Sequence, residues 1–191
     1  MGGGKSTAAR FFVDEGFLLL DADRIVREEL LTLPLVIKQI AARFPTAVSA
    51  QNEVLRPILA GFVFANKGDL LWLEGLLHPL IYEKWRDAFA SAPQADWVVE
   101  APLLFEQNLE NWFDFTACVA TSSANQLARL IERGITQSLA EQRISTQLPL
   151  VQKIEKADFI LSNDGTPEAL RLQVKHLVER LHRTKFQGIS P

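Results

Sequence analysis

Gly2-Gly3-Gly4-Lys5-Ser6-Thr7, and soon after it Phe17-Leu18-Leu19-Leu20-Asp21-Ala22-Asp23, decide how this chain is read. Gly4-Lys5-Ser6 is the closing half of the phosphate-binding pattern G-x-x-x-x-G-K-[ST]. Glycines let successive backbone N–H groups converge on phosphate oxygens with no Cβ in the way. A helix that follows at once brings its N-terminal N–H groups and the positive end of its dipole to the same point. In that arrangement Gly2 to Thr7 cradle a nucleotide, Lys5 reaches the β- and γ-phosphates and Ser6 binds Mg²⁺. The run Thr7 to Glu15 supplies the helix, with Phe11 and Phe12 toward a core. A triple-glycine start also suits a floppy terminus, and the segments that follow weigh against that reading.

Phe17 to Leu20 is a continuous apolar run, which predicts a buried strand of a parallel sheet. It ends in Asp21-Ala22-Asp23. Residues two apart on a strand share a face, so both carboxylates can face one site. Ligands of open α/β sheets bind at the carboxyl ends of strands. A carboxylate there serves as general base to a hydroxyl or holds Mg²⁺. In isolation D-A-D reads better as the cap of a helix from Arg24 to Leu31; beside a phosphate loop it reads as chemistry.

Working outward, Asp96 to Glu100, Phe115 to Ala120 and Asp158 to Asn163 predict three further strands. Glu100 is an acid at a strand end, a candidate Mg²⁺ partner. Strands alternating with long helical stretches argue for an α/β fold with a parallel sheet covered by helices on both faces. Thr166 as N-cap, Pro167 at N1 and Glu168 in the first turn announce the last helix. Its apolar face is Leu170, Val174, Leu177, Val178 and Leu181. The region from about 33 to 93 is helical throughout, too long for a simple crossover, and is expected as an insertion. In it Pro79 should break or kink its helix. His78 there suits a bonded core residue, and Trp72, Trp85 and Phe89 suit core positions. Leu127 to Arg133 carries Arg129 and Arg133 on one helix face. Gly134 closes that helix, and Ser138-Leu139-Ala140-Glu141 is a capping-box pattern opening another, with Arg143. Two short arginine-bearing helices joined by a turn, about 123–150, suit a lid over transferring phosphates; a solvated basic face is the other reading.

The 191 residues carry 20 Lys+Arg against 23 Asp+Glu, a net charge of −3, which excludes nucleic-acid binding run on bulk positive charge. The length suits one domain, 1–191, with an insertion. One cysteine, Cys118, excludes an internal disulfide framework and fits a reducing cytosol. No apolar run is long enough for a membrane helix and no leader pattern is seen, so the expectation is a cytoplasmic protein with no membrane partner.

Taken together these segments resemble the dephospho-CoA kinase family over nearly the whole chain. The order is GGGKST, DADRIVREEL, VLRPILAGFVF, LLHPLI, VVEAPLLFE, QLARLIERG, QRISTQ and KIEKADFILSNDG. The phosphate loop alone is widely shared; D-A-D, L-H-P-L-I and P-L-L-F-E in this order are far more specific. The resemblance implies a P-loop kinase with a helical CoA-binding insertion and a small lid, moving the γ-phosphoryl of ATP to the ribose 3′-hydroxyl of dephospho-CoA with Mg²⁺. It implies Asp23 as the base and Asp21 as its orienter, substrate neighbour or Mg²⁺ partner. Arg129 and Arg143 become lid arginines, with Arg133 a third. Asn163 and Gly165 become the loop beside adenine, and His78 and Leu103 line the acceptor side. A monomer or weak homo-oligomer is expected. Gly3 stands where the family usually has Ser. The strand and further glycines that usually precede the loop are not in the sequence, so a natural start roughly ten residues upstream is expected. Two alternatives stand beside this reading: a non-catalytic nucleotide- or CoA-binding remnant, and a related small-molecule kinase with another acceptor.

Overall fold

The computed structural model describes residues 2–145 and 147–187, and the side chains of Arg143 and of residues 184–187 lie outside that description. The chain divides into two compact units, Met1–Leu19 with Asp96–Pro191, and Leu20–Ala95.

In the first unit, α1 (Lys5–Asp14) rises directly from the glycine loop. β1 (Leu18–Asp21), whose first two residues belong to this unit, pairs with β2 (Trp97–Glu100), and the Leu18 N–H donates to the Asp96 carbonyl at 2.8 Å. β3 (Ala117–Ala120) runs parallel to β4 (Phe159–Ser162), in register from Ala117↔Phe159 to Ala120↔Ser162. Asp158 staples the entrance of that pair, accepting from the Thr116 N–H at 2.7 Å and the Thr116 hydroxyl at 2.8 Å. All four strands fall where the apolar runs predict them. The sheet itself differs from expectation: among the described residues the strands form two separate pairs rather than one ladder. What joins the pairs is side-chain packing. Ala8 and Phe12 of α1, Leu161 of β4, and Leu170, Val174, Leu177 and Val178 of α9 (Pro167–Gln187) form one core. Val98 of β2 and Val119 of β3 pack against it.

The strands are also less buried than continuous apolar runs suggest, with Leu18 42% and Ile160 52% exposed. Apolarity alone does not tell a strand covered on both faces from one covered on a single face.

α9 follows its signals closely. The Thr166 hydroxyl accepts from the Ala169 N–H at 3.3 Å, and the predicted apolar stripe faces inward, with Leu170 and Val174 fully buried. Burying such a side chain stabilises by about 1.5–3 kcal/mol. α6 (Ser123–Glu132) is capped by Ser122 and closes at Gly134, whose φ of 80° lets the Ile135 N–H reach back to the Leu130 carbonyl. α7 (Gln137–Ser145) starts two residues before the predicted capping box allows. The Ala140 N–H bonds the Thr136 carbonyl, and Glu141 accepts from the Gln137 side chain at 2.8 Å. Ser138 therefore sits inside the first turn. α8 (Leu150–Lys156) leads into β4.

The second unit is helical, as the 33–93 pattern predicts. α2 (Ala22–Glu28), α3 (Pro34–Arg43), α4 (Arg56–Ala65) and α5 (Lys67–Ser91) follow one another, with short 3₁₀ turns at Leu30–Thr32 and Pro45–Ala47. Asn66 caps α5, accepting from the Gly68 and Asp69 N–H groups at 2.7 and 3.3 Å. The predicted break at Pro79 does not occur, and α5 runs through it for 25 residues. Proline removes one ladder bond and crowds the turn before it. Here the residue four earlier is Gly75, beside which lies open space, and Leu77, Ile81 and Trp85 hold the helix by burial on one stripe. Trp85 is a core residue as expected; Trp72 and Phe89 are only half-buried.

Candidate functional site

Gly4 is the N-cap of α1 with φ 88°, a left-handed conformation natural to glycine. Its carbonyl accepts from the Thr7 and Ala8 N–H groups at 3.1 and 3.0 Å. The N–H groups of Lys5 and Ser6 open the helix, where no earlier turn offers them a carbonyl. Gly2 and Gly3 are buried. A Cβ on Gly2 would stand 2.8 Å from the Gln126 carbonyl oxygen, so its glycine is needed for close approach to α6.

The Ser6 hydroxyl donates to Glu100 Oε1 at 2.8 Å. This joins the first residues of α1 to the carboxyl end of β2, ninety-four positions apart. A hydroxyl and a carboxylate side by side are hard oxygen donors of the kind Mg²⁺ takes, usually with waters and substrate phosphates completing its shell. Among the described residues no three His, Cys, Asp or Glu side chains converge into a larger metal cluster. Lys5 is half-buried at the start of α1, near enough to Cys118 to oppose the upward push that burial gives that thiol.

Behind the loop lie the residues that follow β3 and β4, and an arginine of α6. The Thr121 hydroxyl and the Asn163 amide both donate to the Gly3 carbonyl, at 2.8 and 2.9 Å. Arg129, half-buried on α6, donates from Nη2 to the Asn163 carbonyl at 2.8 Å and from Nη1 to the Gly2 carbonyl at 3.4 Å. Asp164 accepts from the Ser122 N–H and hydroxyl and the Asn125 amide, which hold its carboxyl below the usual range. Gly165 is exposed just before α9. Arg133 is the exposed C-cap of α6, and the side chain of Arg143 lies outside the described residues.

In the second unit, Asp21 is the last residue of β1 and caps α2, its Oδ1 accepting from the Arg24 N–H at 2.9 Å. Asp23 is exposed in the first turn of α2. The two carboxylates therefore do not share a strand face, because the strand ends between them; their common feature is the positive end of α2. Arg27 carries the influence of both: its pKa is raised first by the hydrogen bond to Glu28, then by the charges of Glu28, Asp21 and Asp23. His78 is half-buried with its ring 5.9 Å from that of Tyr82, and burial lowers its pKa against the pull of Glu74.

Leu103 lies after β2 in a turn where its carbonyl accepts from Gln107 at 3.0 Å. Immediately before Gln107 in that segment stands a feature that spacing did not single out. Glu106 Oε1 accepts from Lys153 Nζ at 2.8 Å and from the Leu148 N–H at 2.9 Å, tying the loop after β2 to α8 and the residues that precede it. Burial would raise this carboxyl, but those two donors hold it below its ordinary value. Stability from such a group is present above the unfolded pKa and is lost as pH falls through the folded one. Glu106→Gln should lower the unfolding free energy at pH 7 by about 1–3 kcal/mol. In urea unfolding, the gap to the native chain should narrow below about pH 4. An unchanged gap would show that the charge is not what matters.

A glycine loop feeding a helix, with Ser6 held to a strand-end acid, defines a P-loop nucleotide-binding protein. The sequence profile of the dephospho-CoA kinase family matches residues 1–168. A dephospho-CoA kinase of Ruegeria pomeroyi is 36% identical over 183 residues, covering 95% of this chain and 91% of that one. One of Streptomyces avermitilis is 35% identical over 195 residues, covering 100% and 95%. Among solved structures, a Thermus thermophilus protein superposes with a TM-score of 0.82 at 27% identity, covering 95% of this chain and 93% of that one. The dephospho-CoA kinase of Campylobacter jejuni does so at 0.65 and 26%, with the same coverage. The chain belongs to the dephospho-CoA kinase family.

Proposed function

We propose that this chain moves the γ-phosphoryl of ATP to the ribose 3′-hydroxyl of dephospho-CoA, giving CoA and ADP, through the residues assembled above. The observation that carries the reading is the Gly2–Thr7 loop, pinned from behind and joined through Ser6 to Glu100 at 2.8 Å. The backbone N–H groups at the head of α1 and the Lys5 ammonium bind and orient the β- and γ-phosphates. Ser6 and Glu100 are the residues to hold Mg²⁺, which when bound neutralises charge on the phosphates. Asp23 accepts the proton of the ribose hydroxyl, as the D-A-D segment in the family's order suggests. Residues 123–150 serve as the lid, bringing Arg133 and Arg143 to the phosphates, with Arg129 at its base. The helices of residues 33–93, with His78, receive the acceptor. Asn163 and Gly165 border the adenine. A reducing compartment suits the single buried thiol of Cys118, and no described helix is long and apolar enough to cross a membrane.

The test is ADP release from ATP and Mg²⁺ with and without dephospho-CoA. Release that requires dephospho-CoA is expected. Nucleotide binding without acceptor-dependent release would replace the kinase by a binding protein, and release with a different hydroxyl acceptor would replace its substrate.

A further inference from the structure

The Gly3 carbonyl is the meeting point of two buried side-chain donors, the Thr121 hydroxyl at 2.8 Å and the Asn163 amide at 2.9 Å. Thr121 is 1% exposed and Asn163 7%. They lie side by side because β3 and β4 end together: after the pair Ala120↔Ser162 each strand adds one residue, and those are Thr121 and Asn163. Asn163 is fixed in its turn, its N–H donating to the Ala120 carbonyl at 2.8 Å and its carbonyl accepting from Arg129. A carbonyl oxygen has two lone pairs, so two donors saturate it.

The consequence falls on the next atom. The Gly3 carbonyl and the Gly4 N–H belong to one planar peptide group, so fixing the oxygen fixes the direction of the N–H. Glycine-rich backbone is otherwise the least restricted in the chain. A loop of glycines that binds an anion through its N–H groups loses affinity for every orientation it must give up on binding. Two rigid donors behind the loop remove that loss beforehand.

We propose that Thr121 and Asn163 are positioning residues for ATP: they lock the Gly3–Gly4 peptide so that the N–H groups at the head of α1 are preset for the triphosphate. This rests on the reading of Gly2–Thr7 as the phosphate loop. Neither side chain needs to touch the nucleotide for the effect; what counts is a proton donor at position 121 aimed at Gly3.

Thr121→Val keeps the shape and removes the donor. It should raise KM for ATP about tenfold, the size of one lost hydrogen bond, with KM for dephospho-CoA unchanged. Thr121→Ser, which restores the hydroxyl, should return KM for ATP to the native value. Should the valine chain fail to fold, Thr121→Ala removes the same donor without adding bulk and carries the same expectation. An unchanged KM for ATP in the valine or alanine chain overturns the proposal, as does an equal rise for both substrates or a serine chain as impaired as the valine one. Lys5→Ala separates this from the reading beneath it. If Lys5→Ala is crippled with ATP and Thr121→Val is not, only the positioning role falls; if Lys5→Ala uses ATP normally, the phosphate-loop reading falls with it.

Discussion

Asp23→Asn should lower the turnover of dephospho-CoA-dependent ADP release by about 10²–10⁴-fold, the usual contribution of a positioned general base. The change removes one negative charge and keeps the shape. Asp23 is exposed in the first turn of α2, so no core packing depends on it. Its loss from the positive end of the helix should cost only about 0.3–1 kcal/mol of stability. ATP affinity, measured without acceptor, should stay close to native, because the proposed phosphate contacts come from Gly2–Thr7. Asp21 supplies the contrast. Asparagine caps helices as well as aspartate does, so Asp21→Asn preserves the bond to the Arg24 N–H and removes only the charge. Asp21→Ala also removes the cap, at about 1 kcal/mol. If Asp23→Asn turns over normally while Asp21→Asn is silent, the base is Asp21 and the proton-accepting role has been assigned two residues too late. If Asp23→Asn unfolds, its carboxylate is structural.

That pair of residues also shows how far sequence reasoning reaches. D-A-D offered a cap and a catalytic reading, and the structure gives the cap to Asp21 outright. It does so because β1 stops at Asp21, and a strand's end depends on pairing with β2, which a four-residue apolar run does not announce. The strands and α9 were legible because each is written locally: apolar runs, a Thr-Pro start, one stripe of Leu and Val at helical spacing. The place of Glu100 was legible because a strand written by its apolar run carries its last residue to the end of the sheet, where Ser6 meets it. Pro79 misled because the local rule is right about the proline and silent about Gly75 and the buried stripe that keep α5 whole. Thr121 and Asn163 could not have been paired with Gly3 from spacing. They stand 118 and 160 positions from it, and only the register of β3 on β4 brings them together. A threonine after a strand otherwise reads as an ordinary turn residue. Arg129 is the same case. Its place on a helix face suggested a guanidinium aimed at phosphates, and its observed partners are the carbonyls of Gly2 and Asn163. Glu106 lay within a quoted segment, yet its partners Lys153 and Leu148 belong to a part of the chain that no local pattern connects to it.

Gly4→Ala should be among the most damaging single-methyl changes in the described residues. Two costs coincide there. The φ of 88° lies where an L side chain is strained, a penalty of about 1–2 kcal/mol. The added Cβ would also fall 1.9 Å from Asn163 Nδ2 and 3.1 Å from its Cγ, well inside contact distance. An amide at a side chain's tip can often swing away, but this one is buried and held to the Gly3 carbonyl. Moving it leaves that carbonyl with Thr121 alone and a buried amide with no acceptor, about 1–3 kcal/mol more. The sum is a sizeable part of the ~5–15 kcal/mol that keeps a domain folded. Activity should suffer beyond stability, because the displaced group sits under the loop proposed to orient ATP: kcat/KM for ATP should fall by at least about 100-fold where the chain is still folded. Gly16→Ala is the matched control. Gly16 has φ 98° with nothing within 4 Å of the added Cβ, so it carries the backbone strain without the clash. A modest drop in thermal midpoint with native turnover is expected there. If the two alanine chains lose equal stability and both keep native kcat/KM for ATP, the contact between Gly4 and Asn163 is not what shapes the loop.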